Sequence, residues 1–384
     1  MSENESIFLR ALSDRINSIR AQNEFEEEPD ISEIPDELIS EIQDELIYES
    51  DIVPNDMRHE IEAELSDIKK SRMADAAAVR QAIANEWGDA LDALDHVLAC
   101  AELINRRMTR ALRHGGAVLI KKRPRPDPET ATGAPLMCLF GLSIHARACV
   151  IATEVSILIR DGLFDGAESR LRTIYEHAVI MTLILRDRTY EAAERYQDHA
   201  CFEELHRLRI LQSSFADPIF SNHAAARESI AEEIAEGEGF ADRARARWGK
   251  EIREQYEWAR PALPPEMRNR KRITFSDLEA AAGAQLMRGD YIGYNYYVHA
   301  GPYMVINHVN FNAAHIFPMR AVVDQERVSF VGTRCVRMIR WMSEMLAITV
   351  ARESGDYDAI LYFCEMTNFF RDALGKFERN EGKL

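Results

Sequence analysis

The stretch RLRTIYEHAV, residues 170–179, holds two guanidiniums, a carboxylate and an imidazole within about two helical turns. These groups can do metal-free phosphoryl chemistry. A histidine moves protons at a ribose hydroxyl and a leaving oxygen, and an arginine stabilises the charge that builds up on phosphorus. They can equally form a polar network that fixes helix packing. The residues just downstream, Val179, Ile180, Met181, Leu183, Ile184 and Leu185, are a run that must be buried. At 100° per residue Leu171, Ile174, Ala178 and Leu185 form one stripe. Arg172 and Glu176 share a second face at ion-pair spacing, and Arg170 and His177 share a third. Arg172 and His177 are about 140° apart, so they meet only through a contribution from another helix. A buried guanidinium is costly unless paired, and Glu176 is the obvious partner of Arg172.

A second polar and aromatic cluster is DYIGYNYYVHAGP, residues 290–302. Ile292, Tyr296 and His299 fall on one face of a short helix, which Gly301 and Pro302 then stop. His299 would sit at the negative pole of that helix, where protonation is favoured. The hydroxyls of Tyr294, Tyr296 and Tyr297 are expected to extend a hydrogen-bonded network towards Arg172 and Glu176.

RTIYE (172–176) followed by YYVHAGP (296–302) resembles a family of helical bacterial proteins known as a domain of unknown function and linked to phage defence. The resemblance covers about 135–315 and implies that Arg172, Glu176 and His299 are signature positions. The spacing Arg172-x4-His177 also resembles the HEPN ribonucleases, whose helix motif is Arg-x4-6-His, and Arg170-x6-His177 fits its upper limit. Thr173 stands where that group usually has Asn, Asp or His. The HEPN resemblance implies a metal-independent endoribonuclease or toxin-type effector, with Arg172 and His177 catalytic, His299 assisting, and the site completed across a dimer. The alternative is a non-catalytic sensor or adaptor. In that reading Arg170, Arg172, Glu176, Tyr296, Tyr297 and His299 are a structural or small-ligand network.

The elements that must position these groups are helices. Strand alternation and hairpin turns are scarce, whereas helical periodicity recurs near 4–19, 36–48, 56–113, 135–160, 164–187, 189–214, 223–236, 239–259, 275–287, 289–299, 303–314, 325–353 and 357–378. The fold class expected is all-α: a helical bundle over 135–384, a Gly- and Pro-rich linker at 115–134, and a helical N-terminal region over 1–114 with an acidic amphipathic extension. The 384 residues suffice for a sizeable core. No secretory signal and no uninterrupted apolar run of spanning length is visible, and the six cysteines are scattered, so a cytoplasmic protein away from membranes is expected.

The net charge of −17 is concentrated near one end. Residues 21–64 carry 17 acids against one base, Arg58, which leaves the rest of the chain near neutral. Within that segment Ile31, Ile34, Leu38, Ile39, Ile42, Leu46 and Ile47 recur at helical spacing, so it needs a partner surface. Its own bundle, a second copy in a homo-oligomer, or a basic surface built from 105–114, 121–126 and 268–272 would each serve. The last would imply RNA as a partner, and a protein partner is the other possibility. No cofactor is expected, since phosphate-cradling and nucleophile-elbow motifs are missing. No metal is expected either, because Glu203-x2-His206 has no second copy and His308-x6-His315 has no matching acid or cysteine.

Overall fold

The computed structural model describes residues 55–114, 133–215, 224–298, 323–355 and 357–381. All regular structure among them is helical. The helices are α1 (Asn55–His114), α2 (Ala134–Arg160), α3 (Phe164–Arg186), α4 (Glu191–Ser214), α5 (Ala224–Trp248), α6 (Phe275–Ala282), α7 (Arg288–Val298), α8 (Gln325–Ser354) and α9 (Asp358–Glu381). Short helical turns at Lys250–Arg253, Glu257–Ala262, Pro265–Arg268 and Gln285–Met287 link α5, α6 and α7. The all-α expectation holds. The expected helices at 4–19, 36–48 and 303–314, and His299, lie outside the described residues.

By contact the chain divides into two units, 1–75 and 76–384. The division falls inside α1 and not at the Gly- and Pro-rich stretch 115–134, because α1 carries core residues from Ile83 onward. Ile83, Trp87, Leu91, Leu94, Val97, Ala101, Ile104 and Met108 repeat at three- and four-residue steps and are all buried.

The second unit is built around α3, which packs against α2, α6, α7 and α8. From Ala178 to Leu185 almost every residue of α3 is buried, as its sequence demands. Close approach of α2 is possible because Gly141 has no side chain. A Cβ there would stand 2.7 Å from Cδ2 of Leu185. On the other side α8 and α9 form a hairpin, and a Cβ at Gly332 would lie 2.3 Å from the Phe377 ring. The Trp87 ring then stacks on Phe377 with centroids 6.1 Å apart, joining α1 to that hairpin. The apolar helix α2 has the length and composition of a membrane span, but half of its most apolar window is buried inside the bundle.

Local signals set the helix ends. Asp187 receives the Ala192 backbone N–H at 2.7 Å and opens α4, while Thr274 and Asp277 form a capping box that opens α6. Gly283, at φ 77°, closes α6. The two helices expected at 223–236 and 239–259 are instead one continuous helix, α5, followed by short turns. Gly237 and Gly239 suggest a break, yet Gly237 is where Leu205 of α4 packs on α5. A Cβ at Gly237 would stand 2.9 Å from Cδ2 of Leu205. All six cysteines are free, Cys138 and Cys335 buried and Cys364 exposed.

Candidate functional site

The polar groups of α3 separate onto different neighbours. Arg172 donates from Nε to Oε1 of Glu176 at 3.0 Å, closing the expected i, i+4 pair. The same carboxylate oxygen accepts the Tyr291 hydroxyl of α7 at 3.0 Å. The Arg172 guanidinium lies over the Tyr291 ring, 5.6 Å from its centroid. Arg172, Glu176 and Tyr291 therefore converge on one oxygen and fasten α7 to α3. The pair is only partly sequestered, with side chains 24% and 32% exposed. Burial acts against the Arg172 charge, but Glu176 and Tyr291 outweigh it and hold the guanidinium pKa above its usual value. Burial, followed by the Glu176 charge, pushes the Tyr291 phenol up to about 12, so it remains a hydroxyl donor.

Aromatic rings floor this node. Tyr291 lies 5.2 Å from both Tyr175 and Phe275, and Phe275 lies 6.0 Å from Tyr256. Tyr256 has its own pKa raised by burial and then by the Glu176 charge, so it belongs to the same neighbourhood. Deeper in, the Tyr175 hydroxyl donates to Glu279 at 2.9 Å and approaches the Ala284 carbonyl at 3.2 Å. Glu279, buried in α6, is paired by Arg288. The layer is thus satisfied from the aromatic core out to Arg172.

His177 looks elsewhere. Its Nδ1 lies 2.7 Å from the Thr173 carbonyl one turn back, a contact that leaves Nε2 as the nitrogen turned away from its own helix. Burial lowers its pKa, outweighing the Thr173 carbonyl and Glu176, and the cation that adds to the lowering is Arg147 of α2. Arg170 pairs with Glu154 of α2 at 2.9 Å. Arg170 and His177 therefore share the α2 side, and Arg172 shares the α7 side. Among the described residues no hydrogen bond joins Arg172 to His177.

On α7 two of the expected tyrosines, Tyr294 and Tyr296, are turned away from the node. Ile292 and Tyr296 are exposed, so their face is the outer one, while Tyr294 is buried against Phe330 of α8. Tyr291 makes the contact instead. Its i, i+3 spacing to the buried Tyr294 is the signal available in the sequence. The Tyr297 side chain and His299 lie outside the described residues.

A second buried polar chain has no sequence signature. His145 of α2 is fully buried, with Nε2 3.0 Å from the Ser343 hydroxyl of α8 and Nδ1 3.2 Å from the Asn105 amide nitrogen of α1. Asn105 also donates to the Leu142 carbonyl at 2.9 Å. Burial pulls the His145 pKa down to about 4. Three helices are stitched by one neutral imidazole.

The basic clusters offer fewer open cations than their composition suggests. Arg270 is held by Asp277, Arg268 donates from Nε to the Leu263 carbonyl at 2.7 Å, and Arg106 pairs with Glu102. Lys271 and Arg272 are exposed. Residues 121–126 lie outside the described residues. Among the described residues no group of three or more His, Cys, Asp or Glu side chains is arranged to hold a metal.

No curated protein and no solved structure matches the chain. Residues 139–315 match the model of a family of unknown function (DUF5677), close to the span expected from RTIYE and YYVHAGP, and it is this similarity that covers Arg172, Glu176, His177, Tyr291 and His299.

Proposed function

We propose that this chain is a helical sensor or adaptor and not a hydrolase. The observation that carries the reading is the convergence of Arg172 Nε and the Tyr291 hydroxyl on Oε1 of Glu176, each at 3.0 Å. A catalytic arginine needs its guanidinium aimed at reacting atoms beside a proton-transferring group. Here the guanidinium is committed to a carboxylate and an aromatic ring, and the imidazole faces another helix. Because Arg172 and Glu176 stay one-quarter to one-third exposed, a small polar ligand or a partner's side chain can reach the node and bias how α7 sits on α3. The effector role in phage defence implied by the family resemblance would then be exercised through binding.

A different observation favours a second reading, a metal-independent ribonuclease of the HEPN kind. Burial lowers the His177 pKa, the Arg147 charge adds to the lowering, and the Thr173 carbonyl occupies Nδ1 and leaves Nε2 for another partner. That pairing would make Arg147 the partner of His177, with Arg172 or a second copy completing the site. The test is purified protein incubated with mixed RNA without divalent metal, wild type beside His177→Ala. The adaptor reading expects no cleavage by either. Cleavage that His177→Ala abolishes, a loss of about 10²–10⁴-fold, would overturn it in favour of the nuclease.

A further inference from the structure

The first turns of α1 leave an apolar seam open. Ile61, Leu65, Ile68 and Met73 are 45%, 59%, 52% and 66% exposed. Ile61, Leu65 and Ile68 follow the three- and four-residue spacing that further along the same helix buries Ile83, Trp87, Leu91 and Leu94. A lone helix buries none of its own face, so such a seam calls for a partner. We propose that it is the docking surface for the acidic segment 31–47 of the same chain, laid antiparallel along residues 57–73.

Length, pattern and charge each support that occupant. A helix of the length of 31–47 would run about 25 Å, the reach of 57–73 on α1. The seven residues 48–54 are ample for a helix-to-helix reversal, and Pro54 stands immediately before the first residue of α1. Ile34, Leu38, Ile42 and Leu46 repeat at four-residue steps and present a stripe that matches Ile61, Leu65 and Ile68. In the antiparallel register Glu33, Asp36 and Glu37 come within about a turn of Lys69, Lys70 and Arg72. Among the described residues Lys70 pairs with Asp67 alone, at 3.1 Å with both side chains more than 70% exposed, so a second anion can reach it. At the turn end acids face acids, Asp44 and Glu45 against Glu60 and Glu62, so apolar contact is the leading force. Both stretches fall in the unit 1–75.

The test uses the full chain with Cys364→Ser, carrying Ile39→Cys and Leu65→Cys, under mild oxidation. An intrachain disulfide at monomer mass is expected, and the off-face control, Ser40→Cys with Leu65→Cys, should not form one. Because paired cysteines can perturb the seam, Leu65→Asp is read separately. It should speed cleavage by a glutamate-specific protease within 24–49 by about tenfold or more, the loss of one buried leucine, with melting of the rest of the chain unchanged. A cross-link only at twice the monomer mass would assign the seam to a second copy. No cross-link together with unchanged proteolysis would place the segment elsewhere, and either result overturns the proposal.

Discussion

Mild acid should destabilise this protein through His145. The imidazole is fully buried, and an Asn105 amide donor 3.2 Å from Nδ1 leaves no acceptor for a second proton. Its pKa is about 4 when folded and about 6.5 when unfolded. The folded value is the lower one, so the unfolded chain binds the proton more readily. Stability is therefore whole above the unfolded value and falls as pH drops from about 6.5 towards 4. At pH 5 the loss from this one group is about 2 kcal/mol. The assay is urea unfolding at pH 7 and pH 5, wild type beside His145→Leu. The variant strands Asn105 and Ser343 and is weaker at pH 7 by about 1–3 kcal/mol. Its deficit relative to wild type should shrink by about 2 kcal/mol at pH 5, because contributions from every other group cancel in the difference. If the deficit is the same at both pH values, His145 is not a buried neutral imidazole and the chain through Asn105 and Ser343 is wrong.

Other perturbations follow from the same packing. Gly332→Ala would place a Cβ 2.3 Å from the Phe377 ring, so thermal melting should report a loss of about 1–3 kcal/mol or more; an unchanged melting temperature would mean that α8 and α9 are not in close register. Arg327 donates to Glu168 at 2.7 Å and to Asp165 at 2.6 Å, and Glu168 is buried. Arg327→Met should therefore cost about 3–5 kcal/mol, with much of it recovered by adding Glu168→Leu, and a double variant as weak as the single would show that the stranded charge is not the cause. Tyr175→Phe removes the hydroxyl that donates to buried Glu279, and chemical denaturation should show a loss of about 1–3 kcal/mol, whereas a loss near zero would mean water takes the hydroxyl's place.

Helical periodicity makes most of the bundle legible, since α2, α3, α4, α7 and α8 lie within a residue or two of their expected bounds. The Arg172–Glu176 pair is legible too, because i, i+4 spacing on one helix needs no tertiary knowledge. What joins the pair is not. The sequence points to Tyr294, Tyr296 and Tyr297 as hydroxyl partners, and only the rotation of α7 against α3 brings Tyr291 to Glu176. His145 is hidden for a like reason: its partners Asn105 and Ser343 lie 40 and 198 residues away. Glycine misleads at 237, where a residue with no side chain looks like a helix break although it serves to admit Leu205.

The central claim, that Arg172 belongs with Glu176 and Tyr291 and not with His177, is tested most directly by double-mutant cycles on unfolding free energy. Solvent screening at this partly exposed pair limits Arg172→Ala to a loss of about 1–2 kcal/mol, below the 3–5 kcal/mol of a fully buried pair. Combining Arg172→Ala with Tyr291→Phe should give a coupling of about 0.5–1 kcal/mol, while Arg172→Ala with His177→Ala should add within about 0.5 kcal/mol. Strong coupling of Arg172 to His177 with none to Tyr291 would contradict the account.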